Sequence, residues 1–140
     1  KKIDYKSNNN LLLQVDIEGD EYDLINSLDE ETLSKFRIIL IEFHQMHYLF
    51  DEFFFNKIFK VMKKISKFFY CTHIHPNNDV DFMYKDKNII IPPLLEFSFL
   101  RKDRGSLVDK ELYFPSKIDQ PNNIKKRDIV LPDCWYKSLY

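Results

Sequence analysis

Leu11-Leu12-Leu13-Gln14-Val15-Asp16-Ile17-Glu18-Gly19-Asp20-Glu21 is an apolar run that stops in a cluster of acids around a glycine. A continuous apolar stretch bounded by a turn signal fits a strand buried on both faces. Beyond it Tyr22, Ile25 and Leu28 recur at helical spacing. The acids ahead of them suit the positive end of a helix dipole, and Asp20 or a neighbour can cap the helix. Asp29 to Leu33 reads as a second short helix. The pattern then repeats. Arg37-Ile38-Ile39-Leu40-Ile41-Glu42-Phe43-His44 is the next buried strand, and Phe55, Ile58, Phe59, Met62, Ile65 and Phe69 recur every three or four residues, predicting a helix from Asp51 to Phe69.

Outward from that core, Tyr70 to His75 reads as a strand ending at Pro76-Asn77-Asn78, and Val80 to Tyr84 as another short piece. Ile89-Ile90-Ile91 runs into Pro92-Pro93, which must leave any sheet ladder. Leu94 to Leu100 makes a final strand. After Asp103, Pro115, Pro121 and Pro132 punctuate polar stretches, as in an extended tail draped on the domain or disordered. The expected organisation is a lead-in at 1–10, an α/β domain at 11–103 and an extended segment at 104–140. Strands alternating with helices predict a mostly parallel sheet with helices on both faces and an antiparallel closing strand.

The bulk numbers exclude several classes. Lys and Arg number 21 against 22 Asp and Glu, a balance unlike that of a dedicated nucleic-acid binder. No apolar run is long enough to span a bilayer, and Lys1 to Tyr5 lacks the apolar core of a signal peptide. Cys71 and Cys134 form neither a disulfide framework nor a CxxC pair, so a reduced, cytoplasmic chain is expected. The chain opens at Lys1 without an initiator Met, as a piece of a longer protein would. The only glycines are Gly19 and Gly105, and neither a GxGxxG nor a P-loop is present. Lys57, Lys60, Lys63, Lys64 and Lys67 line one side of the long helix, where a solvated face is the simpler reading than a phosphate site.

In open α/β sheets, ligands sit beyond the carboxyl ends of the parallel strands. That rule selects Asp16 and Glu18 after the first strand, Glu42 and His44 after the second, and His73, His75, Asn77 and Asn78 after the third. Asp16 and Glu18, two apart, would face one cation or one hydroxyl, or else cap the following helix and steady its loop. His44 has the residue type of a general base near neutrality. Glu42 lies in an apolar run and needs a partner, for which Arg37, Arg101 or His73 are candidates. His73-x-His75 and His44-x-x-His47 have metal-compatible spacing.

These segments, taken in order, resemble the FkbM-like methyltransferase family. Leu13 to Glu21 resembles its K-x-D-x-E-G-x-E segment, the fourth strand and following loop of that fold. Ile39 to His44 resembles its fifth strand, ilvEfH. His73 to Asn78 resembles hiHgNN, with Pro76 where a glycine is common, and Ile91 to Lys102 resembles the closing iPdvlEltylRk. The resemblance covers residues 11 to 103 and implies the C-terminal half of a Rossmann-like sheet. The family's first three strands, which carry the glycine-bearing loop and the ribose-binding acid for the methyl donor, would precede residue 11. It further implies S-adenosylmethionine as donor, an acceptor hydroxyl on a sugar, glycan or small metabolite, and a divalent cation at Asp16. By the same resemblance Asp16 would orient the acceptor or metal, His44 or His75 would help remove the hydroxyl proton, and Glu18, Asn77 and Asn78 would bind substrate.

Two other readings compete. A chain without its donor half would leave a sheet edge and apolar faces uncovered, favouring a non-catalytic interaction module that forms a homodimer or seats on a missing N-terminal half. Asp16, His44, His73 and His75 could instead serve a metal-dependent hydrolase.

Overall fold

In the computed structural model, residues 10–86, 89–106 and 114–136 are described. The chain runs β1 (Leu11–Val15), α1 (Glu21–Ser27), α2 (Glu30–Leu33), β2 (Phe36–Phe43), α3 (Glu52–Phe68), β3 (Phe69–Pro76), β4 (Tyr84–Asp86), β5 (Ile89–Ile91) and β6 (Leu95–Arg101). Most of the lead-in lies outside the described residues.

Four strands form one sheet in the order β1-β2-β6-β3, and β4 and β5 make a separate antiparallel pair. β1 pairs with β2 in parallel, whereas β6 runs antiparallel to both β2 and β3. The expectation of a mostly parallel sheet is therefore corrected. Three strands point the same way, but the reversed strand β6 is inserted between two of them, so two of the three neighbouring pairings are antiparallel.

The helices also depart from expectation. α1 and α3 share one face of the sheet: Tyr22 of α1 stacks on Phe43 of β2 at 5.3 Å and meets Phe54 of α3 edge-on at 5.3 Å. Val15, Ile39, Ile41, Phe43, Leu95, Phe97 and Phe99 point into this layer and are buried. The opposite face carries Gln14, Leu40, Glu42, Glu96 and Ser98, none of them buried. β1 and β2 are thus buried on one face rather than two, since no described helix covers the other.

Local chemistry explains the element ends. Asp51 caps α3 by accepting from the Phe54 N–H at 2.9 Å, and Phe54, Ile58, Val61 and Ile65 bury one stripe at helical spacing. Asp29 caps α2 through the Thr32 N–H at 2.6 Å. Asp20 makes no side-chain cap for α1. Glu21 folds back instead, accepting from the N–H groups of Ile17 at 3.2 Å and Gly19 at 3.1 Å. The lysine face of α3 is partly engaged: Lys57 reaches Asp23, Lys67 reaches Glu30, and Lys64 donates to the carbonyls of Asn26 and Leu28. It ties α3 to the segment ahead of β2 rather than presenting five free cations.

Residues 114–136 lie against the domain without long regular structure. Asp119 pairs with His73 at 2.9 Å, Asn122 donates to Glu96 at 2.8 Å, and the Trp135 indole N–H donates to the Ile90 carbonyl at 2.9 Å. Among the described residues, no helix is long and apolar enough to cross a membrane.

Candidate functional site

The carboxyl ends of β1, β2 and β3 share one end of the sheet with the start of β6. Val15 pairs with Ile41, Glu42 with Glu96, and Glu96 with His75, so Asp16, Glu42, Glu96 and His75 follow one another across the strand ends. Asp16, Glu42 and Glu96 line a cleft of about 240 Å³ on the helix-free face, together with Gln14, Leu40 and Ser98.

His44 sits at the corner of this cleft, its side chain 10% exposed, and four carboxylates approach its ring. Nε2 lies 3.3 Å from Glu18, 3.9 Å from Asp16 and 3.9 Å from Glu42. Nδ1 lies 2.8 Å from Glu21 Oε1. That last separation is short, yet the angle is not that of a hydrogen bond, and both His44 Nδ1 and Glu21 Oε2 are buried without a hydrogen-bond partner. The acids grade from interior to solvent: Glu21 is fully buried, the Glu42 side chain is 14% exposed, Asp16 55% and Glu18 87%. Burial holds the Glu42 carboxyl above the usual carboxylate range, against a hydrogen bond from Asn77 that lowers it.

The backbone explains the convergence. Glu18 (φ 59°) and Gly19 (φ 115°) turn the chain sharply after β1, and Gln45 (φ 61°) turns it after His44. Such left-handed positions in non-glycine residues cost energy and gather where a loop must aim side chains. The Tyr22 hydroxyl donates to the His44 carbonyl at 2.5 Å, pinning the backbone behind the imidazole.

The structure thus brings Asp16, Glu18, Glu42 and His44 together. Asn77 joins them through its donation to Glu42 Oε1 at 2.8 Å, and this amide, rather than Arg37, Arg101 or His73, is the partner Glu42 required. Arg101 is spent at the far end of β6 on Asp103 and the carbonyls of Ser34 and Phe36. Asn78 is 2% exposed, and its amide is used by the backbone of Asn123 and Lys126. His73 and His75 stand in continuous register on β3 and contact Asp119 and Glu96 respectively. His47 packs against Tyr48 and Phe82. The steadying of the β1 loop assigned to Asp16 or Glu18 falls to Glu21. The sequence signal for Glu21 was its place as the last acid of the opening run, in the first turn of an amphipathic helix.

His75 lies 3.5 Å from Glu96, which raises its pKa above the ordinary histidine value against the opposing effect of burial. A raised folded-state pKa adds stability that is complete below the unfolded value of about 6.5 and is lost as pH climbs through the folded value. Thermal melts should therefore fall as pH rises above neutrality. Glu96→Gln should flatten that slope; an unchanged slope would show that the pair does not couple to folding.

Residues 2–69 match the family model described as the methyltransferase FkbM domain. That stretch carries Asp16, Glu18, Glu21, Glu42 and His44, whereas His75, Asn77 and Asn78 follow it. No curated protein and no solved structure matches the chain.

Proposed function

Because residues 2–69 match the methyltransferase FkbM domain, we propose that this chain belongs to that family and forms the acceptor side of an S-adenosylmethionine-dependent O-methyltransferase acting on a hydroxyl of a sugar, glycan or small metabolite. The sheet is read as the C-terminal half of a Rossmann-like methyltransferase fold. The observation that carries the proposal is the convergence of Asp16, Glu42 and His44 at the carboxyl ends of adjacent parallel strands. Carboxylate oxygens there accept hydrogen bonds from hydroxyls, and the His44 Nε2 lone pair offers a place for the proton an acceptor must lose. An all-acid rim, with no Lys or Arg pairing to these groups among the described residues, favours a neutral polyhydroxyl acceptor over an anionic one.

S-adenosylmethionine would supply the methyl group, but the described residues do not fit a donor cradle. A side chain at Gly19 would meet Gln45 at 3.1 Å and one at Gly105 would meet Leu100 at 3.1 Å, so neither glycine opens space for a nucleoside. The chain's own share is the acceptor: Asp16 and Glu42 orient it, Asn77 fixes Glu42, and Tyr22 holds the His44 backbone.

The test is methyl transfer from labelled S-adenosylmethionine to a panel of sugars, glycans and small alcohols, using this chain alone and within any longer product of its reading frame. Label recovered as a methyl ether is expected. Label found only on nitrogen or carbon would sink the assignment.

A second reading is favoured by β1, which among the described strands pairs only with β2 and exposes Leu11 and Leu12 at 42% and 57%. Such an edge accepts another strand. In this reading the chain associates with itself or with a partner half-sheet.

A further inference from the structure

We propose that the C-terminal segment, residues 114–136, is a working part of the acceptor cleft: its Asn122, together with His75, aims Glu96 into the cleft, and Glu96 takes a second hydroxyl of the acceptor beside the one that Asp16 and Glu42 orient. The substrate class narrows accordingly to neutral molecules with neighbouring hydroxyls. The proposal rests on the acceptor-site reading for its ligand and on the contacts below for its geometry.

Glu42 and Glu96 are direct partners across β2 and β6, and both line the cleft. Side chains so placed stand with Cβ atoms ~4.5–5.5 Å apart, and like charges there are destabilising. The chain supports each carboxylate with a matching set of groups. Asn77 donates to Glu42 Oε1 at 2.8 Å, and Asn122 donates to Glu96 Oε1 at 2.8 Å. Each second oxygen faces an imidazole: Glu42 Oε2 lies 3.9 Å from His44 Nε2, and Glu96 Oε2 lies 3.5 Å from His75 Nδ1. The first set belongs to the site already described. The second repeats it one strand further on, with its amide supplied by the C-terminal segment.

Glu96 keeps capacity for a ligand. Its side chain is 42% exposed, whereas His75 behind it is buried. An ionised carboxylate offers about four lone-pair positions, and Asn122 and His75 occupy two of them. The two glutamates also differ in sense. Burial holds the Glu42 carboxyl above the usual range, while His75 and then Asn122 hold that of Glu96 below it, against the effect of burial. Glu96 is thus the prong that stays ionised and accepts a hydroxyl's hydrogen bond while its neighbour still carries a proton.

Asn122 is itself exposed, so its aim comes from its neighbours in the chain. Three residues before it, Asp119 pairs with His73 at 2.9 Å. Immediately after it, the Asn123 N–H donates to Asn78 Oδ1 at 2.7 Å, the Asn123 carbonyl accepts from Asn78 Nδ2 at 2.9 Å, and the Asn123 side chain donates to Asp79 at 2.8 Å. Asn78 is 2% exposed, and a buried amide bonded this fully fixes one arrangement of the two segments. Asn122 therefore sits between two anchors that tie it to β3 and the residues after it. Asn78 and Asn122 are positioning residues that act through Glu96. All of them lie outside the stretch that matches the family model.

The test is carbon-13 NMR of the carboxyl groups in the whole chain, alone and with three probes: methyl mannopyranoside and myo-inositol, which carry neighbouring hydroxyls, and cyclohexanol, which has one. Glu96 is expected to titrate below the ordinary glutamate range in the parent chain and to move back toward it in Asn122→Ala, with partial restoration in Asn122→Gln. At least one polyol should shift the Glu96 signal and bind about tenfold more tightly than cyclohexanol, a preference that Asn122→Ala should erase. In the methyl-transfer assay Asn122→Ala should raise the acceptor KM about tenfold and leave kcat within about twofold, because His44 is untouched. Asn56→Ala, which removes an exposed amide on α3, should change none of these. Thermal melts of each variant separate lost aim from lost folding. A Glu96 titration indifferent to Asn122→Ala, or polyol binding that leaves the Glu96 signal in place, would overturn the proposal. Methyl transfer to a hydroxyl with an acceptor KM unmoved by Asn122→Ala would keep the acceptor reading and overturn this one. Absence of both polyol binding and methyl transfer would overturn both.

Discussion

His44→Ala is expected to lower methyl transfer by about 10²–10⁴-fold, the range in which removal of a group that handles a proton in the transition state falls. Nε2 is the nitrogen that Asp16, Glu18 and Glu42 face, so its loss removes the one imidazole these acids share and leaves Glu42 its amide donor, Asn77. Stability should suffer much less. The Tyr22 hydroxyl binds the backbone carbonyl of residue 44, which alanine retains, and Glu21 keeps its two backbone donors at Ile17 and Gly19. The measurement is the rate with labelled donor set beside a thermal melt. A variant that melts normally and transfers methyl at more than a tenth of the parent rate would remove His44 from the reaction.

Phe43→Ala, one residue earlier, should act in the opposite sense and cost ~3–5 kcal/mol of stability. Phe43 is fully buried, stacked on Tyr22 at 5.3 Å and edge-on to Phe97 at 5.4 Å. Its ring joins α1 to β2 and β6, and truncation leaves a cavity that three elements would have to close. Denaturant unfolding followed by circular dichroism checks this. A midpoint within error of the parent chain would mean that the site collapses freely and that the aromatic cluster is not a rigid support for the rim.

The two adjacent residues show what could be read from the sequence and what could not. A continuous apolar run placed Phe43 in a strand, and the rule about carboxyl ends of strands placed His44 beside Asp16. Both inferences depend on local pattern and chain direction alone. Glu21 escaped notice as a site residue because an acid in the first turn of a helix has an ordinary explanation in the helix dipole. Only the left-handed turn at Glu18 and Gly19 carries it back under His44. The partner of Glu42 was sought among cations because charge was the visible cue, whereas the contact found is the neutral amide of Asn77, just past the end of β3 and two strands away. Sheet order was similarly hidden. Each strand's existence follows from its own residues, but the insertion of β6 between β2 and β3 is decided by long-range pairing.

That insertion has a temporal consequence. Among the described strands, β3 pairs with its sheet only across β6, which follows the others in the chain. A nascent chain leaving the ribosome can assemble β1, β2 and the helical layer early, yet β3 must wait, unpaired along both edges, until Arg101 has emerged. Pairings between residues so distant in the chain form slowly. The interval before they form is when this protein is most open to chaperones, to proteases and to pairing with the wrong neighbour.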